Sequence, residues 1–98
     1  MSIRLDIRES KKKNKKYDAI FTFNDGLQKV ISFGSSPYSD YTQHHDKERR
    51  QRYIIRHQKN ENWNNPFTAG ALSFWILWGP DTNIKNNIRL FKNHFGFN

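Results

Sequence analysis

From Ser2 to Glu9 apolar and charged residues alternate, with Ile3, Leu5 and Ile7 on one side and Arg4, Asp6 and Arg8 on the other. Period two with β-branched residues predicts a half-buried strand. Lys16 to Phe23 repeats the pattern, Tyr17, Ala19, Phe21 and Phe23 opposing Asp18, Ile20 and Thr22. Asn24-Asp25-Gly26 then supplies a turn in which glycine tolerates positive φ, and Leu27 to Phe33 returns as a third strand. Gly34-Ser35-Ser36-Pro37 breaks the alternation.

Beyond that break the period lengthens to that of a helix. Asp40 or Asp46 caps a helix running to about His57, with Glu48 in its first turn. Its apolar face is narrow: Tyr53 and Ile54, with His57 one turn later. Such a helix docks by one edge or meets a partner. After a loop from Asn60 to Pro66, Thr68 caps an almost wholly apolar helix, Ala69 to Trp78, closed by Gly79-Pro80. Leu72, Trp75, Ile76 and Trp78 are expected at the centre of the core. Asp81 or Thr82 caps a last helix to about Phe95, with Gly96 behind it. There Ile84, Ile88, Phe91 and Phe95 form one stripe, and Lys85, Arg89 and Lys92 share another face. The fold class expected is α+β, in a single domain over 1–98. N-terminal antiparallel strands (2–33), with an exposed lysine loop (10–16), pack against about three C-terminal α-helices (40–95).

Composition tests whether such a core is feasible. Apolar residues make up 35% and mean hydropathy is −0.99, values that suit a disordered chain when apolar residues are thinly spread. Here 8 Phe, 4 Tyr and 3 Trp concentrate the apolar area in large rings, enough for a small core. The absence of cysteine excludes disulfides, thiolate zinc sites and a cysteine nucleophile. No apolar run approaches the roughly 18 residues of a membrane span, so no membrane partner is expected. The charged alternation at the N-terminus is unlike a signal peptide, and secretion is not expected.

Charge changes the picture most. The net charge is +8, and the excess is spread along the chain: residues 1–40 carry 8 Lys/Arg against 5 Asp/Glu, residues 41–63 carry 6 against 3, and residues 64–98 carry 3 against 1. A field of this sign attracts polyanions. Part of the lysine excess is discounted, because Asn, Lys and Ile, all with A- and T-rich codons, supply 30 of the 98 residues. The best candidate phosphate surface is Arg49, Arg50, Arg52 and Arg56 with Lys11, Lys12, Lys13, Lys15 and Lys16. Positions 49, 52/53 and 56 line one helical face, so three guanidinium groups can follow a backbone together. Lys59, Lys85, Arg89 and Lys92 complete the nucleic-acid-binding set. The competing reading is a solvated face. Exposed aromatics would favour single strands through base stacking. Most rings here have better claims as core, so duplex DNA is the expected partner.

Two other clusters bear on chemistry. Arg56-His57 with Glu61 and Trp63 reads as a buried polar network holding helix to loop, with a phosphate contact by Arg56 as the sharper alternative. His44-His45-Asp46 with His57 invites a metal or nuclease reading. Adjacent histidines point apart, however, and the hairpin precedes the helix by about ten residues, so surface and capping histidines are expected. No phosphate-cradling glycine loop, nucleophile elbow or spaced carboxylate pair appears. An enzyme, a cofactor and a metal are therefore not expected.

The stretch Ser39 to Gly79 carries a longer pattern. Ser39-Asp40-Tyr41-Thr42, Asp46 with Arg49, Tyr53 with Arg56-His57, Glu61 with Trp63, Pro66, Thr68-Ala69-Gly70, Leu72-Ser73 and Trp75-Ile76-Leu77-Trp78 follow in order. In these motifs, and in the hairpin and last helix, the chain resembles a family of small basic proteins of large nucleocytoplasmic DNA viruses. Phe74 stands where that family's pattern has arginine, which removes one basic group from the comparison. The resemblance implies a viral setting: virion DNA as the polyanion, and the virion or the infected cell's cytoplasm or nucleus as the location. The alternative function is a structural or protein-interaction module whose partner is an acidic protein or a second copy in a homodimer.

Overall fold

The computed structural model describes residues 2–98. Three antiparallel strands form a meander in the order β1 (Arg4–Glu9), β2 (Lys15–Thr22) and β3 (Gln28–Ser35). Leu5 opposes Phe21, Ile7 opposes Ala19, which opposes Ile31, and Tyr17 opposes Phe33. The register therefore stacks the apolar set of each strand on one face, as the alternation requires. The β2–β3 turn holds Gly26 at φ 88°, where any Cβ would be strained. Asn14, at φ 68°, closes the β1–β2 turn. The exposed lysine loop is shorter than expected: Lys15 and Lys16 already belong to β2.

The helix expected to reach His57 starts at the second of its two expected caps, and the first caps a short helix of its own. Asp40 caps α1 (Tyr41–His44) and Asp46 caps α2 (Lys47–His57). His45 separates them in the left-handed region at φ 57°, a conformation that no helix continues through. Thr68 caps α3 (Ala69–Leu72), its hydroxyl accepting from the Ala71 amide at 3.1 Å. Instead of running on to Trp78, this helix widens into a π-helical turn, Ser73–Leu77, where the Trp78 amide reaches back to the Ser73 carbonyl. The extra residue in that turn rotates the faces. Leu72, Ile76 and Leu77 enter the core, whereas Trp75 and Trp78 are only half-buried at its edge. The expected central place of both indoles is thereby corrected. Each remains anchored: Trp75 Nε1 donates to the Trp63 carbonyl at 2.9 Å, and Trp78 stacks on Tyr53.

The cap of α4 (Ile84–Phe95) is Asn83, not Asp81 or Thr82. Asn83 accepts from the Lys85 and Asn86 amides, while Asp81 accepts from the Asn83 amide and Asn86 Nδ2 one turn earlier. Gly96 ends the helix at φ 77°. The core unites Leu5, Ala19, Phe21 and Phe33 of the sheet with Leu72, Ile76, Leu77 and Phe91 of the helical layer. Asn98 exchanges backbone hydrogen bonds with Ile3 and Leu5, closing part of the outer edge of β1. The architecture is α+β, with the helices on one face of the sheet.

Candidate nucleic-acid interface

Helix α2 presents two parallel stripes, each at i, i+3 and i+7. Arg50, Tyr53 and His57 dock; Arg49, Arg52 and Arg56, one residue earlier, are exposed. Tyr53 is the buried anchor, stacked on Trp78 at 4.2 Å with an interplanar angle of 1° and on His57 at 4.3 Å. Burial pushes its hydroxyl pKa far above the ordinary 10.0. Arg50 donates from Nε to the carbonyls of Trp78 and Gly79 at 2.9 and 3.0 Å, and lies over the Tyr41 ring. Its guanidinium caps the C-terminal end of the π turn, where free carbonyls gather negative charge. Arg50 thus serves the scaffold through Nε and lines neither of the two adjoining clefts that the other expected phosphate ligands of α2 line.

Lys16 is engaged as well. Its ammonium is sunk beneath the turn after β3, donating to Asp40 at 2.5 Å and Gln43 Oε1 at 2.7 Å. Asp40 is itself buried and holds the Thr42 amide, so the pair ties the sheet to α1. Lys11, Lys12, Lys13 and Lys15 remain exposed. The Asn14 carbonyl accepts from the Ser36 amide, which brings the lysine turn against the Ser35–Asp40 connection.

That connection, the exposed stripe of α2 and the Trp78 edge enclose two adjoining clefts of about 450 and 330 Å³. Tyr38, Ser39, Arg56 and Trp78 line both. The smaller adds Arg49 and Arg52 and has no acidic residue in its lining. The larger adds Lys15, Lys16 and His57, with Asp40 and Glu61 as its acids. Both acids are engaged: Asp40 by Lys16, and Glu61 by Trp63 Nε1 at 2.9 Å and His57 Nδ1 at 3.7 Å. The expected network of Arg56, His57, Glu61 and Trp63 is therefore divided. His57, Glu61 and Trp63 join helix to loop, while exposed Arg56 reaches only its neighbour His57, at 3.4 Å. Among the described residues no carboxylate lies within 4 Å of Arg49, Arg52 or Arg56 as an ion-pair partner. Lys59, Lys85 and Arg89 are exposed and Lys92 half-buried, but none of the four lines either cleft. Phe74 stacks flat on Trp63 at 3.8 Å.

Tyr38, like Ser39, lines both clefts and was not among the binding residues expected from the sequence. The available signal was its position directly after a Gly-Ser-Ser-Pro break, out of phase with any apolar face.

The histidines diverge. His45 terminates α1, whereas His44 is half-buried against Trp78, not a surface residue. Its Nδ1 accepts from the Asp46 amide at 2.9 Å, and its buried Nε2 has no partner. Among the described residues no group of three or more His, Asp or Glu side chains could hold a metal ion. Burial first, then the Arg49 charge, holds the His44 pKa below its ordinary 6.5. The unfolded imidazole accordingly takes up a proton at a higher pH than the folded one. Stability is expected to be fully present above about pH 6.5 and to fall as pH drops through the folded pKa. Urea unfolding at stepped pH, in the parent and in His44→Gln, checks this; an unchanged slope between pH 7 and 5 in the variant would refute it.

A family model whose members have no known function matches residues 5–57, which span the meander, Tyr38 and all of α2. No curated protein and no solved structure matches the chain.

Proposed function

The chain belongs to that family of unknown function (DUF5754), and from this premise we propose that it is a sequence-tolerant DNA-binding protein acting through the phosphate backbone. One observation carries the reading: Arg49, Arg52 and Arg56 stand exposed and, among the described residues, free of ion pairs along one acid-free cleft. Unpaired guanidinium groups in a row meet phosphates without first breaking an internal ion pair. The lysine turn beside the cleft extends the field. The viral setting implied by the sequence resemblance makes a packaged genome the DNA in question, with a virion-associated or genome-packaging role.

Three phosphate contacts give a slope of log K against log salt of about −2.7 on a duplex, so affinity falls about 40-fold between 50 and 200 mM salt. Arg52→Ala is expected to flatten the slope by about 0.9 and to weaken unrelated sequences alike. Arg50→Ala is expected to leave the slope in place and to lower stability, because Arg50 lines neither cleft and its Nε is held by two carbonyls. Absence of binding at about 50 mM salt, or a slope indifferent to Arg49, Arg52 and Arg56, rejects the proposal. The competing reading, a protein-interaction module with an acidic partner or a second copy, draws on β3, an edge strand with Val30 exposed beside Leu27.

A further inference from the structure

A preference for duplex follows if every ring is needed in the core, and Tyr38 is not. Its side chain is 73% exposed, and among the described residues it pairs with no other ring. Exposed apolar residues are ordinary when scattered; Leu27, at 68%, lines neither cleft. Tyr38 instead lines both clefts, as Arg56 and Trp78 do, and shares the smaller one with Arg49 and Arg52. The turn that carries it is stiffened by Pro37, whose ring fixes its own φ, and by the Tyr38 amide, which donates to the Ser35 carbonyl at 3.1 Å. The ring is thus presented on a braced turn, so little ordering is required when something stacks on it.

We infer that this cleft takes single-stranded DNA, an unpaired base stacking on Tyr38 while the strand's phosphates follow Arg49, Arg52 and Arg56. The inference rests on the DNA-binding reading above and adds the class of strand. A duplex keeps its bases stacked on one another and offers a protein its backbone and the base edges, not the base faces. A single strand offers phosphates and base faces together, and an aromatic ring with flanking cations is the usual way of holding both. The concave site sets Ser39 and the Trp78 edge beside the arginines.

The test uses the full chain at low salt against oligo(dT), an abasic strand of equal length and a duplex of equal length, read by fluorescence anisotropy. Oligo(dT) is expected to bind more tightly than either of the others. Tyr38→Ala should weaken oligo(dT) about 5- to 150-fold, the loss of one stacked base, and leave the abasic strand unchanged. Tyr38→Phe, which keeps the ring, should retain oligo(dT) affinity. Circular dichroism of both variants should match the parent, since Tyr38 supports no core contact. Duplex bound at least as tightly as oligo(dT), or oligo(dT) affinity indifferent to Tyr38→Ala while Arg52→Ala still flattens the salt slope, overturns the single-strand inference and leaves DNA binding standing. No binding to any of the three at about 50 mM salt overturns both.

Discussion

Asn87→Ala is expected to lower the unfolding free energy by about 3–5 kcal/mol, measured as a shift of the urea midpoint at unchanged m-value. Asn87 is fully buried, and its amide serves three backbone groups at once. Nδ2 donates to the carbonyls of Ile76 at 3.0 Å and Asp81 at 2.7 Å, and Oδ1 accepts from the Asp81 amide at 3.1 Å. The Ile76 carbonyl lies in the π turn, near its end, where ordinary helical partners run out. Alanine strands all three groups in a dry site, each at a cost of about 1–3 kcal/mol less whatever water recovers. Gly79 packs against this amide so closely that a Cβ there would sit 2.8 Å from Asn87 Cγ, which leaves little room for rearrangement. Asn87→Asp preserves the shape but turns only acceptors toward two carbonyls. It should cost at least as much as alanine at pH 7 and recover in part as the carboxyl protonates and regains a donor. A loss below about 1 kcal/mol for Asn87→Ala would show that the π turn is held by other means.

Phe21→Ala should cost a similar amount, about 3–5 kcal/mol, as full truncations of buried aromatic rings do. Phe21 occupies the central strand and is fully buried, its ring 4.8 Å from Phe67 and 5.3 Å from Phe97. Through those rings it joins the sheet to the loop before α3 and to the C-terminal segment. A domain of this size holds only about 5–15 kcal/mol in total, so the variant should sit near the edge of folding at 37 °C. Tyr38→Ala, at an exposed ring, should stay within about 0.5 kcal/mol of the parent. Comparable midpoint shifts in the two variants would contradict the division between core and platform rings on which the binding inference stands.

The strands and the arginine stripe were legible because both follow from local periods. Alternation along residues 2–9 and 16–23 specifies which face turns inward whatever it meets, and the spacing of Arg49, Arg52 and Arg56 puts them on one side of any helix they occupy. The π turn had no such signature. Whether the Trp78 amide pairs four or five residues back depends on how Leu77 and the two indoles fit against the sheet. The fate of individual cations was equally hidden. Lys15 and Lys16 are adjacent and chemically identical, yet one is exposed and the other is locked to Asp40, 24 residues on.

Composition, period and charge were sufficient for an α+β chain with a small aromatic core and a cationic helix, since these depend on residues within a few positions of each other. Which arginine is scaffold and which is free, and which tyrosine is left outside the core, depends on distant partners. The Trp78 and Gly79 carbonyls claim Arg50, and the packed rings of Tyr53 and Trp78 hold α2 so that Arg49, Arg52 and Arg56 line a cleft with Tyr38. Those contacts exist only after the chain has closed loops of some 25 residues, and no local preference records the outcome of that closure.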